Sequence, residues 1–155
     1  MQGDKKVIDL LNGLLAGELT AIDQYFVHSR MYENWGLKKL YERIAHEVTD
    51  ETGHADKLIQ RILFFDATPD LVTRKPIRVG KDVPEMLKND LALELDVVRE
   101  LKQAIAYCET AKDFQTREIL EVMLKDTEED HAHWLETQLG LIDRVGLQNY
   151  LQSQT

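Results

Sequence analysis

Glutamate and histidine recur three residues apart at two places in the chain, Glu51-Thr52-Gly53-His54 and Glu128-Glu129-Asp130-His131. A lone glutamate precedes each pair, Glu18 by 33 residues and Glu94 by 34. Residues i and i+3 of an α-helix project from one face, so each pair can reach a single metal ion without bending the backbone. One glutamate from each of two helices, with a Glu-x-x-His from each of the other two, is the ligand set of a two-metal site inside a four-helix bundle. The near-equal intervals read as two copies of one helical hairpin and predict a site with approximate two-fold symmetry.

The punctuation supports long helices. All three prolines lie between residues 69 and 84. Apolar residues recur at helical spacing from about Lys5 to Trp35, with Gly36 as a stop, and again from about Lys38 to Phe65. Residues 66–82, with Pro69 and Pro76 inside them and little periodicity, read as a crossover loop running the length of a bundle. A third helix starts at about Val83, with Pro84 in its first turn, and a fourth runs from about Asp113 to near Gly146. Leu147 to Gln152 form a short fifth helix outside the bundle. The expectation is all-α: a single domain over residues 1–155, a ferritin-like four-helix bundle with a long crossover between helices two and three. The alternative is a bundle with a disordered middle loop.

The acidic residues fall in the apolar stripes. Helix one reads Leu11, Leu14, Glu18, Ile22, Tyr25, and helix two reads Leu40, Ile44, Glu47, Glu51, His54, Leu58, Ile62. Helix three reads Leu87, Leu91, Glu94, Val98, Leu101, and helix four reads Leu120, Leu124, Glu128, His131, Leu135, Leu139. Burying an isolated carboxylate costs several kcal/mol, and a few of them would rival the whole net stability of a domain. The stripes offer no Lys or Arg at these central positions. Two divalent cations would balance four carboxylates. Oxygen and imidazole ligands without thiolate suit iron or manganese better than structural zinc, although zinc could still occupy such a site. Glu51 and Glu128 are then the bridging ligands, with Glu18 and His54 completing one metal and Glu94 and His131 the other. Tyr25 is placed to hydrogen-bond a ligand or to take part in electron transfer, and a core tyrosine is the competing reading.

A chain of 155 residues with 43% hydrophobic and 30% charged residues suits one globular domain. Its net charge of −9 argues against a nucleic-acid surface and suits cations. The lone Cys108 excludes an internal disulfide, no secretory signal or membrane-length apolar run is visible, and a reducing cytoplasm is the expected compartment.

Several segments carry a resemblance: Gly3-Asp4-Lys5-Lys6-Val7-Ile8, residues 23–31 from Asp23 to Met31, residues 54–59 from His54 to Ile59, and Gly146-Leu147-Gln148-Asn149-Tyr150-Leu151. Through them the chain resembles bacterioferritin and related bacterial ferritins across essentially its whole length. The resemblance implies a shell of 24 subunits, a di-iron ferroxidase centre in each, and ferric mineral stored in the cavity. It implies cavity-facing positions for His46 and Asp50, where a further iron can bind; an ordinary exposed pair is the competing reading. Haem-binding bacterioferritins carry methionine directly after the bridging Glu of helix two, where this chain has Thr52. A threonine hydroxyl is a poor axial ligand for haem iron, so a shell of this chain alone should lack two-methionine haem ligation. The chain resembles the haem-free type of subunit, which can co-assemble with a methionine-bearing one.

The expected function is therefore iron storage: two Fe(II) oxidised at the expense of O2 or H2O2, with Fe(III) passed to mineral. A di-iron peroxidase or oxidase without mineral storage, and a structural subunit of a mixed shell, are the competing readings.

Overall fold

Each long amphipathic segment has one apolar face to bury, and four such faces meet in the computed structural model, which describes residues 1–155. The first three bundle helices are α1 (Lys5–Asn34), α2 (Lys38–Phe64) and α3 (Val83–Thr110). The fourth rod is composite. It consists of α4 (Phe114–Lys125), a π-helical turn (Asp126–Ala132) and α5 (His133–Val145), after which α6 (Leu147–Ser153) follows Gly146. The expected all-α bundle with a long crossover and a short terminal helix is thus the observed one. The expected continuous fourth helix is instead interrupted at its centre by a wider turn.

Three helices, α1, α3 and α4, start on an aspartate cap. Asp4 accepts from the backbone N–H groups of Lys6 and Val7 at 2.8 and 3.2 Å, Asp82 from Glu85 at 2.9 Å and Asp113 from Thr116 at 3.1 Å. Each bond satisfies a first-turn donor that has no partner within its helix. Gly36, at φ +77°, reverses the chain between α1 and α2.

The core is split into two apolar blocks along the bundle axis. One contains Leu11 and Leu15 of α1, Leu58 and Ile62 of α2, Leu101 of α3 and Leu120 of α4. The other contains Tyr25 and Tyr32 of α1, Leu40 and Ile44 of α2, Leu87 of α3 and Leu135 of α5. A fully buried leucine or isoleucine contributes about 1.5–3 kcal/mol. On every rod the gap between blocks falls where the stripe turns acidic, so the two blocks clamp one polar layer.

The crossover, residues 66–82, is an ordered strap along α1. Asn12 Oδ1, Thr20 Oγ1, Gln24 Oε1 and His28 Nε2 accept from the backbone N–H groups of Asp70, Lys75, Arg78 and Gly80 at 2.8 to 3.1 Å. These four residues are spaced by eight, four and four, which places them along one edge of α1. Because His28 Nε2 accepts, its Nδ1 carries the proton and donates to Asp90 Oδ1 at 2.9 Å, tying strap, α1 and α3 together. The disordered-loop alternative is not observed. Gly80 is required sterically: a Cβ there would lie 2.5 Å from the Met86 backbone nitrogen.

The terminal helix closes one end. Tyr150 is buried and donates to Gln138 Oε1 at 2.8 Å, and the Gln154 carbonyl accepts from Lys39 N at 2.9 Å. No helix is long and apolar enough to cross a membrane.

Candidate metal centre

Four rods bring Glu18 from α1, Glu51 and His54 from α2, Glu94 from α3 and His131 from the π-turn into the polar layer, and all five are buried. They form two triads. Glu18, Glu51 and His54 present ligand atoms within 4.8 Å of one another, as do Glu51, Glu94 and His131, so Glu51 belongs to both. His54 Nδ1 lies 3.7 Å from Glu18 Oε2 and 3.6 Å from Glu51 Oε2. His131 Nδ1 lies 2.7 Å from Glu51 Oε1 and 3.4 Å from Glu94 Oε1. The imidazoles are 5.8 Å apart between centroids and inclined by 26°. The i, i+3 relation of Glu51 and His54 on regular α-helix delivers both to the same spot, as their spacing predicted.

The donor set is unsatisfied by protein. Both Glu18 oxygens, Glu51 Oε1, His54 Nδ1 and His131 Nδ1 are buried without a hydrogen bond. His131 Nδ1 and Glu51 Oε1 touch out of hydrogen-bond alignment, an arrangement suited to two atoms that share a cation. Burial first, and then the neighbouring Glu51, pushes the Glu18 carboxyl well above the usual carboxylate range. Burial also raises Glu94, against the pull of His131 and a hydrogen bond from Tyr25. Burial opposes protonation of His54, yet Glu18 and Glu51 outweigh it and push the imidazole up to about 11. His131 is raised in the same way, with Glu47, Glu51 and Glu94 overcoming its burial. Without a cation, protons do part of a cation's work here.

Glu128 is the departure from the expected ligand set. Its side chain is 43% exposed and reaches Lys102 at 3.5 Å, away from the triads. The reason lies in the backbone. A π-helical turn closes i→i+5 rather than i→i+4, so residues three apart no longer overlie and those four or five apart do. The side chain four before His131 is Thr127, which points inward, fully buried, and bonds the Met123 carbonyl at 2.8 Å. Five before it is Asp126, whose Oδ2 lies 2.7 Å from His54 Nε2. The longer of the two Glu-to-Glu intervals was the only sequence signal for this, and it gave no position.

Glu47 was visible in the α2 stripe but not recognised as part of the site. It is buried, with Oε2 2.7 Å from His131 Nε2, and that same nitrogen is hydrogen-bonded to Asp50 at 3.3 Å. The stripes carry no cation at their centres, but Arg43 reaches in from one turn away to Glu47 at 2.7 Å and Asp130 at 2.9 Å. No such partner reaches Glu18, Glu51 or Glu94. His46 is exposed, 3.4 Å from Asp50, so Asp50 stands between a surface imidazole and the buried one. Tyr25 is buried and donates to Glu94 Oε1 at 2.5 Å, which fixes it to a triad carboxylate. Thr52 is exposed and its hydroxyl bonds the Val48 carbonyl at 2.7 Å. A surface cavity of about 620 Å³, bounded by Asp50, His54, Lys57, Asp126, Glu129 and Asp130, abuts the centre.

Residues 8–145 match the ferritin-like domain family. The chain is 61% identical over 154 residues to a bacterial ferritin of Synechocystis sp., covering 99% of each chain. It is 60% identical over 154 residues to a bacterial ferritin of Pseudomonas aeruginosa, again with 99% of each covered. With a bacterioferritin of Rhodobacter capsulatus the identity is 45% over 150 residues, 97% of this chain and 92% of the relative.

Proposed function

We propose that this chain, which belongs to the ferritin-like family, is an iron-storage ferroxidase whose oxidation site is the pair of triads sharing Glu51. One observation carries the reading: Glu51 stands between two imidazole-carboxylate sets whose inward atoms are buried and lack hydrogen bonds. Buried acceptors left in this state destabilise a protein unless a ligand satisfies them. Glu18, Glu51 and His54 would hold one Fe(II), and Glu51, Glu94 and His131 the other. Iron is the substrate here, and oxygen and nitrogen donors without thiolate suit it.

The chemistry is a two-electron exchange. Each Fe(II) gives up one electron, and the pair reduces O2 with two protons to H2O2, or H2O2 with two protons to two waters. The protein fixes the spacing of the metals and supplies negative charge that favours the higher oxidation state. The protons held at His54 and Glu18 must leave as iron arrives. Tyr25, hydrogen-bonded to Glu94, orients that ligand from the buried side. Asp50, Asp126 and Asp130 line the adjoining cavity and would attract cations to it. Asp50 with His46 is in addition proposed as the place of a further iron on that face.

We place the whole chain, 1–155, in one ferritin-like unit, acting in the cytoplasm within a 24-subunit shell that stores the Fe(III) as mineral. Thr52 leaves the haem-binding position without a thioether, so a shell of this chain alone would hold no two-methionine haem, and a haem-bearing subunit could join it. Size-exclusion chromatography checks the shell, and a haemochrome spectrum of the pure chain checks haem. Stopped-flow oxidation at two Fe(II) per chain tests the site. Glu18→Ala and His131→Ala should abolish the fast phase while leaving helical content intact, and fast oxidation in both variants would refute the assignment.

A further inference from the structure

Tyr25, Tyr32 and Tyr150 are the buried tyrosines, and two of them are hydrogen-bonded: Tyr25 donates to Glu94 at 2.5 Å and Tyr150 to Gln138 at 2.8 Å. The hydroxyl of Tyr32 has no partner. Buried tyrosine hydroxyls ordinarily find one, and an orphaned hydroxyl costs stability that a phenylalanine filling the same space would not. The position of Tyr32 gives that hydroxyl a use. Tyr32 follows Tyr25 by seven residues on α1, which is two turns along one face and about 10 Å along the axis. Trp35, at the end of α1, sets its ring edge-on to Tyr32, with centroids 6.4 Å apart and planes inclined by 77°. Trp35 is 43% exposed and borders a surface cavity of about 370 Å³ with Leu37, Val83, Pro84, Leu147 and Leu151. Tyr25, Tyr32 and Trp35 thus form a series along one helix, from a carboxylate of the metal centre to solvent.

Asp90 of α3 supplies a base to the same pocket. Its Oδ1 accepts from Gln24 at 2.8 Å and from His28 at 2.9 Å, while its Oδ2 is buried without a hydrogen bond. Burial raises the Asp90 carboxyl above its ordinary range, so it takes up a proton readily. Burial first, and then Asp90 and Tyr150, hold the Tyr32 phenol well above its ordinary range, so it stays protonated and gives up an electron only together with its proton.

We propose that Tyr32 and Trp35 form a relay that carries an oxidising equivalent from the buried centre to the surface when peroxide meets a centre holding a single Fe(II). This rests on the ferroxidase reading above and extends it. A lone Fe(II) has one electron to give, whereas H2O2 takes two. Fe(II) supplies the first, and the second comes through Tyr25 from Tyr32. H2O2 with these two electrons and two protons from solvent becomes two waters, Fe(II) becomes Fe(III), and Tyr32 becomes a phenoxyl radical whose proton has gone to Asp90. Trp35 then gives an electron to Tyr32, Asp90 returns the proton, and the indole N–H proton leaves to solvent. The equivalent ends on an exposed indolyl radical, which a one-electron reductant in solution, such as a thiol, restores with one electron and one proton. The apolar block is thereby spared an oxidant that would otherwise attack it.

The test loads the purified full chain with one Fe(II) per chain, mixes it with H2O2 in aerated buffer without reductant, and reads two signals. Freeze-quenched electron paramagnetic resonance reports the tyrosyl radical, and mass spectrometry of peptides reports oxygen added at Trp35. The parent should show both. In Tyr32→Phe, which keeps the shape and removes only the orphaned hydroxyl, the tyrosyl signal should persist at Tyr25 while oxidation of Trp35 falls to the level of iron-free chain given H2O2. In Trp35→Phe the tyrosyl signal should outlast that of the parent. Oxidation of Trp35 undiminished in Tyr32→Phe would overturn the proposal, because radicals arriving from solvent would then be its cause. Fast oxidation of two Fe(II) per chain by a parent whose Trp35 stays intact would overturn the relay alone. A parent without that fast phase, or oxidation of Trp35 undiminished in Glu18→Ala, would instead sink the ferroxidase reading on which the relay rests.

Discussion

Replacing Glu18 by leucine separates what the centre does for stability from what it does for metal. Glu18 is fully buried and neither oxygen is hydrogen-bonded. Around it the carboxylates of Glu47, Glu51, Glu94 and Asp126 face only His54, His131 and Arg43 as cationic groups. Negative charge is therefore in excess in the metal-free protein. A buried polar group left unpaired costs about 1–3 kcal/mol, more if it is charged, and protonation of Glu18 keeps the cost near that range. His54 would lose a partner at 3.7 Å but keep Asp126 at 2.7 Å and Glu51 at 3.6 Å. A leucine at this position also extends the apolar blocks on either side. Glu18→Leu should therefore stabilise the metal-free protein by about 1–3 kcal/mol. At roughly 2–4 °C per kcal/mol for a chain of this size, Tm should rise by about 2–12 °C. The assay is thermal melting followed by circular dichroism, with chelator and again with saturating Co(II). The parent should gain Tm on adding cobalt and the variant should gain much less, because one triad has lost a ligand. A metal-free variant that melts lower than the parent, with an undiminished gain from cobalt, would refute the reasoning and make Glu18 an ordinary core partner.

Four further outcomes are expected. With His54 pushed up to about 11 from 6.5, the folded metal-free chain keeps a proton that the unfolded chain gives up near neutrality. That contribution is complete below about pH 6.5 and is lost as pH climbs toward 11, so the urea midpoint should fall between pH 7 and 10; a midpoint that rises across this range contradicts it. Coordination through Nδ1 needs that proton gone, so Co(II) binding should release protons and tighten with rising pH. A pH-stat titration showing no release would count against His54 as a ligand. Gly80→Ala drives a Cβ toward the Met86 nitrogen and should cost about 1–3 kcal/mol through backbone displacement, read by urea unfolding. Gln24→Ala removes the acceptor of the Arg78 N–H and a donor to Asp90. Hydrogen exchange at Arg78 should accelerate while amides in the middle of α2 keep their protection, and uniform acceleration would show that the strap is no separate unit.

The periodicity of the stripes was enough to place the four rods, because an amphipathic helix declares its buried face through residues three and four apart. The same spacing put Glu18, Glu51, His54, Glu94 and His131 at one depth, and the structure gathers them there. The strap was legible only as a loop. Its register depends on side chains of α1, Asn12, Thr20, Gln24 and His28, bonding backbone far along the chain, and nothing local in residues 66–82 reports that. Glu47 was on the stripe with Arg43 one turn before it, a local i,i+4 pair, but its place beside His131 depends on the second hairpin packing against α2.

By itself, then, the sequence determined the helical class, the depth of the acidic layer and which α-helical residues share a face, since these follow from local geometry. Tertiary structure alone decided which carboxylates stand behind the histidines and that Glu128 turns outward. One extra residue in a helix can be absorbed at many points, and it is the packing of Leu120, Met123 and Leu135 on either side that confines the π-turn to residues 126–132.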